Sequence, residues 1–285
     1  MAEVLKGAPV VAALQEKMIK DVEELKAKGV EPTLCILRVG ERPDDLSYEK
    51  GAMKKADAVG VKVINKVLPS NIDQESFDKV LTEINEDKGI HGILMFRPLP
   101  LQLDNEKARK MLAPEKDIDG CTGGSLAGVF TGTDTGFPPC TAQAAMEILK
   151  FYGVELKGKK ACVIGRSLVI GRPVAMMLMH ENATVAICHT RTVDVPSITR
   201  EADIIIAASG QMETVGSEYV SEKQTIIDVG ISWNEEKQKL CGDVRFDEVE
   251  PQVKALTPVP GGVGNVTTCV LISHVVEAAK RSLEA

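Results

Sequence analysis

Residues 160–173, Lys-Ala-Cys-Val-Ile-Gly-Arg-Ser-Leu-Val-Ile-Gly-Arg-Pro, carry the clearest chemical pattern in the chain. The apolar, partly β-branched run at 161–164 has the character of a buried parallel strand, and it stops at a glycine. Gly165 permits a turn that a side chain would block, Gly171 permits close approach of a ligand or helix, and Pro173 suits the first turn of a helix over 174–179. Backbone amides at a helix start favour a phosphate, so the loop holding Gly165, Arg166, Ser167, Ile170 and Gly171 is a candidate dinucleotide site. The spacing departs from Gly-x-Gly-x-x-Gly, and on pattern alone an ordinary strand-loop-helix joint explains it equally well. No His, Cys, Asp and Glu cluster has metal-ligand spacing, and no Ser-His-Asp arrangement can be argued, so no metal is expected.

These residues need a scaffold, and the hydrophobic pattern supplies one. Val10, Val11, Leu14, Met18, Val22 and Leu25 step at helical spacing, giving a helix over 8–28 that ends at Gly29. A strand at 33–39, a turn at 40–45, a helix at 46–59 after an aspartate N-cap, a strand at 61–68, a helix at 74–85 and a strand at 90–97 then alternate. Such alternation implies a parallel sheet covered by helices. A short helix at 104–112 precedes a long irregular stretch at 113–140, of the kind that often carries function, and a helix at 141–151 follows. A second series has strands at 161–164, 184–188, 203–207 and 225–229, and ligands of such sheets sit beyond the strands' carboxyl ends. That places Ser209, Gly210, Gly230 and Ile231 beside the candidate loop, before a final helix over 267–283.

Composition bounds the partners. A chain of 285 residues, 44% of them hydrophobic, buries a sizeable core and suggests two domains. A formal net charge of -7 argues against nucleic acid or an anionic membrane as the main partner and leaves small molecules. Cys35, Cys121, Cys140, Cys162, Cys188, Cys241 and Cys269 contain no Cys-x-x-Cys pair, and several sit in apolar runs, which points to a reducing compartment such as the cytoplasm. No apolar run approaches a membrane span.

Several motifs together resemble the methylenetetrahydrofolate dehydrogenase/cyclohydrolase family: Ser47-Tyr48, His91-Gly92-Ile93-Leu94 before Pro98-Leu99-Pro100, residues 114–120 (Pro-Glu-Lys-Asp-Ile-Asp-Gly), Pro139-Cys140-Thr141, Gly165-Arg166-Ser167 with Gly171-Arg172-Pro173, and Thr257-Pro258-Val259-Pro260-Gly261-Gly262-Val263-Gly264. The resemblance spans nearly the whole chain. It implies two three-layer α/β domains: a folate-binding domain over 1–142, on which the C-terminal helix 267–285 packs back, and a Rossmann-type dinucleotide domain over 143–266. It also implies a homodimer. Carried over, Tyr48 would stack on the folate, Asp119 would accept hydrogen bonds from the pterin's amino-pyrimidine edge, Phe96 and Pro98 would line the substrate pocket with Pro260, Gly261 and Gly262, and Thr267 would join the cofactor residues.

Three departures bear on activity. Four residues after Tyr48, where the family has lysine, stands Ala52; the family's glutamine position holds Phe96; and the serine expected before the tyrosine is Asp45. Hydrolysis of the methenyl bridge needs a proton carrier, whereas hydride transfer needs mainly orientation and exclusion of water. The expectation is therefore a dehydrogenase with cyclohydrolase activity lost or weak. Lys55, one turn beyond position 52 and about 5 Å along the axis, could sustain weak hydrolysis, while Lys50 and Lys54 point elsewhere. The alternatives are the ordinary bifunctional enzyme, a non-catalytic folate- or nucleotide-binding regulatory protein, and a different two-domain dehydrogenase. For the cofactor, residues 184–188 run into His189-Thr190-Arg191-Thr192 without a carboxylate for a ribose diol, so Arg166, Thr190 and Arg191 favour NADP over NAD, with His189 orienting the loop.

Overall fold

A computed structural model describes residues 2–284. The chain enters through a two-residue strand, β1 (Glu3–Val4), and a long helix, α1 (Gly7–Ala27), whose Val10, Met18, Val22 and Leu25 are buried at helical spacing. Contacts divide the molecule into two units, Ala13–Cys140 with Thr268–Ala285 and Met1–Ala12 with Thr141–Thr267.

In the first unit, β2 (Thr33–Val39), β3 (Lys62–Leu68) and β4 (Gly92–Met95) form a parallel sheet ordered β3-β2-β4. Every residue of β2 is buried, as a central strand covered on both faces requires. The crossover helices are α2 (Pro43–Val59) and α3 (Gln74–Glu86), and Phe77, Leu81 and Ile84 seat α3 on the sheet against Cys35, Leu37 and Ile93. α2 starts three residues earlier than the sequence suggests. Pro43 begins it, because a proline lacks only an N–H that has no partner there, and Arg42 takes the N-cap position with no side-chain cap. Gly60, at φ 78, ends it. After α4 (Asn105–Met111), the stretch expected to be irregular contains a further helix, α5 (Gly123–Thr131), capped by the Thr122 side chain and closed by Gly132 at φ 70.

The second unit follows α6 (Cys140–Phe151). Its elements are β5 (Lys160–Ile164), α7 (Gly171–His180), β6 (Thr184–Cys188), α8 (Val195–Arg200), β7 (Ile204–Ala207), β8 (Thr225–Asp228), the hairpin strands β9 (Ser232–Asn234) and β10 (Lys239–Cys241), α9 (Phe246–Val249) and β11 (Ala255–Leu256). Six strands pair in parallel in the order β1-β11-β8-β7-β5-β6. The chain leaves β5 for β6 on one side and returns to β7 on the other, so the carboxyl end of β5 is a topological switch point. β1 adds an edge strand beside β11, which is why the first twelve residues group with this unit and not with the folate-type domain in which the sequence reading placed them. The last helix, α10 (Val263–Arg281), begins four residues before the expected position. Its part from Thr268 onward belongs to the first unit, where Lys280 pairs with Asp21 at 2.7 Å. No helix among the described residues is long and apolar enough to cross a membrane.

Candidate functional site

In the first unit, α2, the end of β4 and the loop before α5 bring Tyr48, Phe96, Arg97 and Asp119 together. The Tyr48 ring keeps 37% of its surface exposed and meets Phe96 edge-on, with centroids 5.8 Å apart at 82°. Burial of the phenol, followed by the nearby Cys140 and Asp119, raises its pKa. It is therefore a neutral, flat, half-open surface with a polar tip. Asp119 faces the Arg97 guanidinium at 3.6 Å. Burial pushes its carboxyl up to about 6, with Arg97 pulling the other way. Arg97 and Pro98 join through a cis peptide bond at the strand's exit.

The support beneath Asp119 comes from residues that the sequence does not advertise. The carbonyl of Ile118 accepts from the Cys140 thiol at 3.1 Å and from His274 Nδ1 of α10 at 2.8 Å. His274 in turn stacks on Phe137 at 4.9 Å. Cys140 is buried and its thiol is pushed well above the usual range, first by burial and then by Asp119, so it serves as a donor and not as a nucleophile. Asp117, fully buried, accepts from the amides of Cys121 and Thr122 and from the Ser125 hydroxyl, closing the loop at 3.1, 2.7 and 2.7 Å.

The three departed positions are now placed. Ala52 is fully buried and Phe96 nearly so, and neither offers a proton. Asp45 takes both nitrogens of the Arg42 fork at 2.8 Å, a local pair at the start of α2. Beneath that helix a second pair, Arg38 Nε to Glu49 Oε2 at 2.6 Å, is almost fully buried, and Asn65 donates to the other Glu49 oxygen at 2.7 Å. Lys55 is half-buried, while Lys50 and Lys54 are exposed. An arginine inside the apolar run of β2 was the available signal for this pair, since a buried guanidinium needs a partner.

In the second unit the candidate dinucleotide loop sits at the switch point. At Gly165, φ 127, an added Cβ would lie 2.1 Å from the Ala208 carbonyl oxygen, and at Gly171 it would lie 2.3 Å from the Gly165 oxygen. Both glycines are thus required by backbone-to-backbone approach. The Ser167 hydroxyl accepts from the Ile170 amide at 3.1 Å, folding the loop into the start of α7. Arg166 and Ser167 are exposed there. At the end of β6, His189 Nδ1 accepts from the Arg191 amide at 3.1 Å, and the Thr192 hydroxyl accepts from the His189 amide at 2.9 Å. His189 orders its own turn and leaves Thr190 and Arg191 exposed. No acidic side chain ends this strand. The cradle, the helix start and the exposed cations fit a phosphorylated dinucleotide. Ser209 and Gly210 follow β7, and Gly230 and Ile231 follow β8, so the same edge of the sheet gathers them. Pro260, Gly261 (φ 104) and Gly262 form the turn into α10, and Thr267 bonds back to the Val263 carbonyl at 3.2 Å. These last residues belong to the second unit, apart from the Tyr48 and Asp119 group of the first. Among the described residues no group of three or more His, Cys, Asp or Glu side chains could hold a metal ion.

Two family models match the chain: the catalytic domain of tetrahydrofolate dehydrogenase/cyclohydrolase over residues 5–119, and the NAD(P)-binding domain of the same family over residues 139–283. The chain is 52% identical over 281 residues to the bifunctional protein FolD of Carboxydothermus hydrogenoformans, covering 98% of each. Among solved structures it resembles the bifunctional FolD of Campylobacter jejuni, with TM-score 0.93, 36% identity and 99% of each chain covered. It also resembles the Trypanosoma brucei FolD complexed with NADP cofactor and inhibitor, with TM-score 0.89, 34% identity, and 100% and 99% of the two chains covered.

Proposed function

Because the chain belongs to the tetrahydrofolate dehydrogenase/cyclohydrolase family, we propose that it oxidises 5,10-methylenetetrahydrofolate to 5,10-methenyltetrahydrofolate by direct hydride transfer to NADP. The observation that carries this reading is the glycine-shaped loop at the switch point, where Gly165 and Gly171 let the backbone close on itself at the start of α7, the position at which helix amides receive a pyrophosphate. Arg166, Ser167, Thr190 and Arg191 would hold the 2′-phosphate, and the lack of an acidic residue after β6 favours NADP over NAD. A bound nicotinamide supplies the hydride acceptor. The chain's own part is to orient and to exclude water. Tyr48 offers a face to the folate, Asp119 accepts hydrogen bonds from the amino-pyrimidine edge, and Phe96 closes the apolar side. The lone pair of the folate nitrogen drives hydride departure, so no protein base is required. The homodimer and the cytoplasmic setting expected from sequence belong to the same proposal.

For the second reaction, hydrolysis of the methenyl bridge to 10-formyltetrahydrofolate, the names of the relatives favour a bifunctional enzyme over the dehydrogenase-only expectation, and we place the bifunctional reading first. On this reading water with Lys55 or another group carries the protons. One specific observation favours slow or lost hydrolysis: fully buried Ala52 and apolar Phe96 stand where the family has a lysine and a glutamine. The test supplies methylenetetrahydrofolate with NADP or NAD and follows NADPH or NADH, methenyl and 10-formyl products together. Reduction of NADP with later 10-formyl formation supports the bifunctional reading, accumulation of methenyl at the uncatalysed decay rate supports the narrower one, and no reduction of either cofactor removes both.

A further inference from the structure

Two buried carboxylates at the end of the second unit's sheet have no part in the reaction as described. Asp228, the last residue of β8, is 4% exposed, and Asp243, two residues past β10, is 1% exposed. Asp228 Oδ1 accepts from the amides of Gly230 and Asp243, and Oδ2 from the amide of Val244, each at 3.0 Å. Asp243 Oδ2 accepts from the Ser209 hydroxyl at 2.8 Å and from the Gly210 amide at 3.0 Å. The two side chains therefore form a relay: one fixes the backbone of the other, and the second fixes the turn after β7. The fit is tight. A Cβ on Gly230 would lie 2.1 Å from Asp243 Oδ1, and one on Gly242 would lie 1.9 Å from Asp228 Oδ2.

Burying two carboxylates side by side is costly unless they find donors, and here five donors are spent on three of their oxygens. The packing of β7 against β8 does not need this, since those strands already pair through their backbones. What the relay adds is a fixed geometry for the Ser209–Gly210 and Gly230–Ile231 turns.

We propose that Asp243 is a positioning residue for the dinucleotide: through Ser209 and Gly210 it holds the turn after β7, and Asp228 holds Asp243, so that both turns meet the cofactor preformed. The proposal rests on the reading that these turns face the cofactor. Without the carboxylate, the Ser209 hydroxyl and the Gly210 amide lose their shared acceptor and the turn must be ordered at the moment of binding.

The test uses the full-length chain and NADPH fluorescence titration alongside steady-state kinetics. The unmodified protein is titrated first, and absence of NADPH binding would remove the cofactor reading itself and with it the proposal. Given binding, Asp243→Ala is expected to raise the NADPH dissociation constant about tenfold or more while the KM for folate changes less than about twofold. Asp243→Asn is expected to restore most of the affinity, because one carboxamide oxygen can accept both donors that now share Oδ2. An Ala variant that folds and binds NADPH as tightly as the unmodified protein overturns the proposal, as does an Asn variant no better than Ala. Should Asp243→Ala not fold, amide hydrogen exchange at Gly210 in the unliganded protein decides: protection well beyond the free-peptide rate is expected, and exchange at that rate contradicts a preformed turn.

Discussion

At Asp119 burial and the Arg97 guanidinium pull in opposite directions, and burial wins, leaving the carboxyl at about 6. A carboxylate accepts two hydrogen bonds from an amino-pyrimidine edge, whereas the acid form accepts fewer and presents a donor. Asp119 is ionised above about pH 6, so the KM for folate should be flat at pH 7 to 8 and rise as pH falls through 6, visible in initial-rate profiles. In Asp119→Asn that dependence should vanish, at a KM raised about tenfold. An unmodified protein with the same KM at pH 5 and pH 8 would show that the carboxylate does not meet the pterin. Hydrolysis is expected to depend on positions 52 and 96, where the family has a lysine and a glutamine. Ala52→Lys alone should restore little while apolar Phe96 holds the glutamine position, whereas Ala52→Lys with Phe96→Gln should speed methenyl decay about tenfold or more over either single change. A double variant no faster than Ala52→Lys would count against that account.

The elements were legible in the sequence where a periodic apolar pattern had to be buried, and less so where backbone chemistry decides. The strands at 33–39, 160–164 and 184–188 and the helix Gln74–Glu86 follow directly from their runs of apolar residues. α5 was missed because Gly123, Gly124 and Ser125 read as loop, and what makes the helix is the Thr122 cap and the Asp117 carboxylate below it. The hairpin β9–β10 was missed because its strands are three residues each. The departures at Ala52 and Phe96 were visible by position, while Arg97, Cys140, His274 and Asp243 act across 22 to 156 residues of sequence and leave no local trace. The glycine cradle makes an element-scale prediction. In Gly171→Ala the new methyl meets the Gly165 oxygen at 2.3 Å, so α7 must shift; thermal unfolding should show a loss of about 1–3 kcal/mol, and NADP affinity should fall about tenfold. Unchanged NADP affinity in a folded Gly171→Ala protein would place the pyrophosphate elsewhere.

For the whole molecule, buried titrating groups tie stability to pH in both directions. Asp228 is raised to about 7, mostly by burial, with its amide donors opposing, so its contribution is fully present below the unfolded carboxylate range near pH 4 and is lost as pH rises through 7. His274 is lowered to about 4 by burial, so its contribution is present above about 6.5 and is lost as pH falls toward 4. Denaturant unfolding should show Asp228→Asn gaining on the unmodified protein from pH 5 to pH 8, by on the order of 2 kcal/mol, and a constant difference would mean that Asp228 does not titrate in that range. The two family models, over residues 5–119 and 139–283, divide the chain near the same boundary as its contacts do, except that residues 5–12 and 268–283 group with the other unit by contact. The proposed dehydrogenase activity is tested most directly by a single progress curve at 340 nm with purified protein, methylenetetrahydrofolate and NADP. NADPH formation that depends on folate and is weakened by Asp119→Asn and by Gly171→Ala alike is expected; no folate-dependent reduction of NADP or NAD would contradict the dehydrogenase reading.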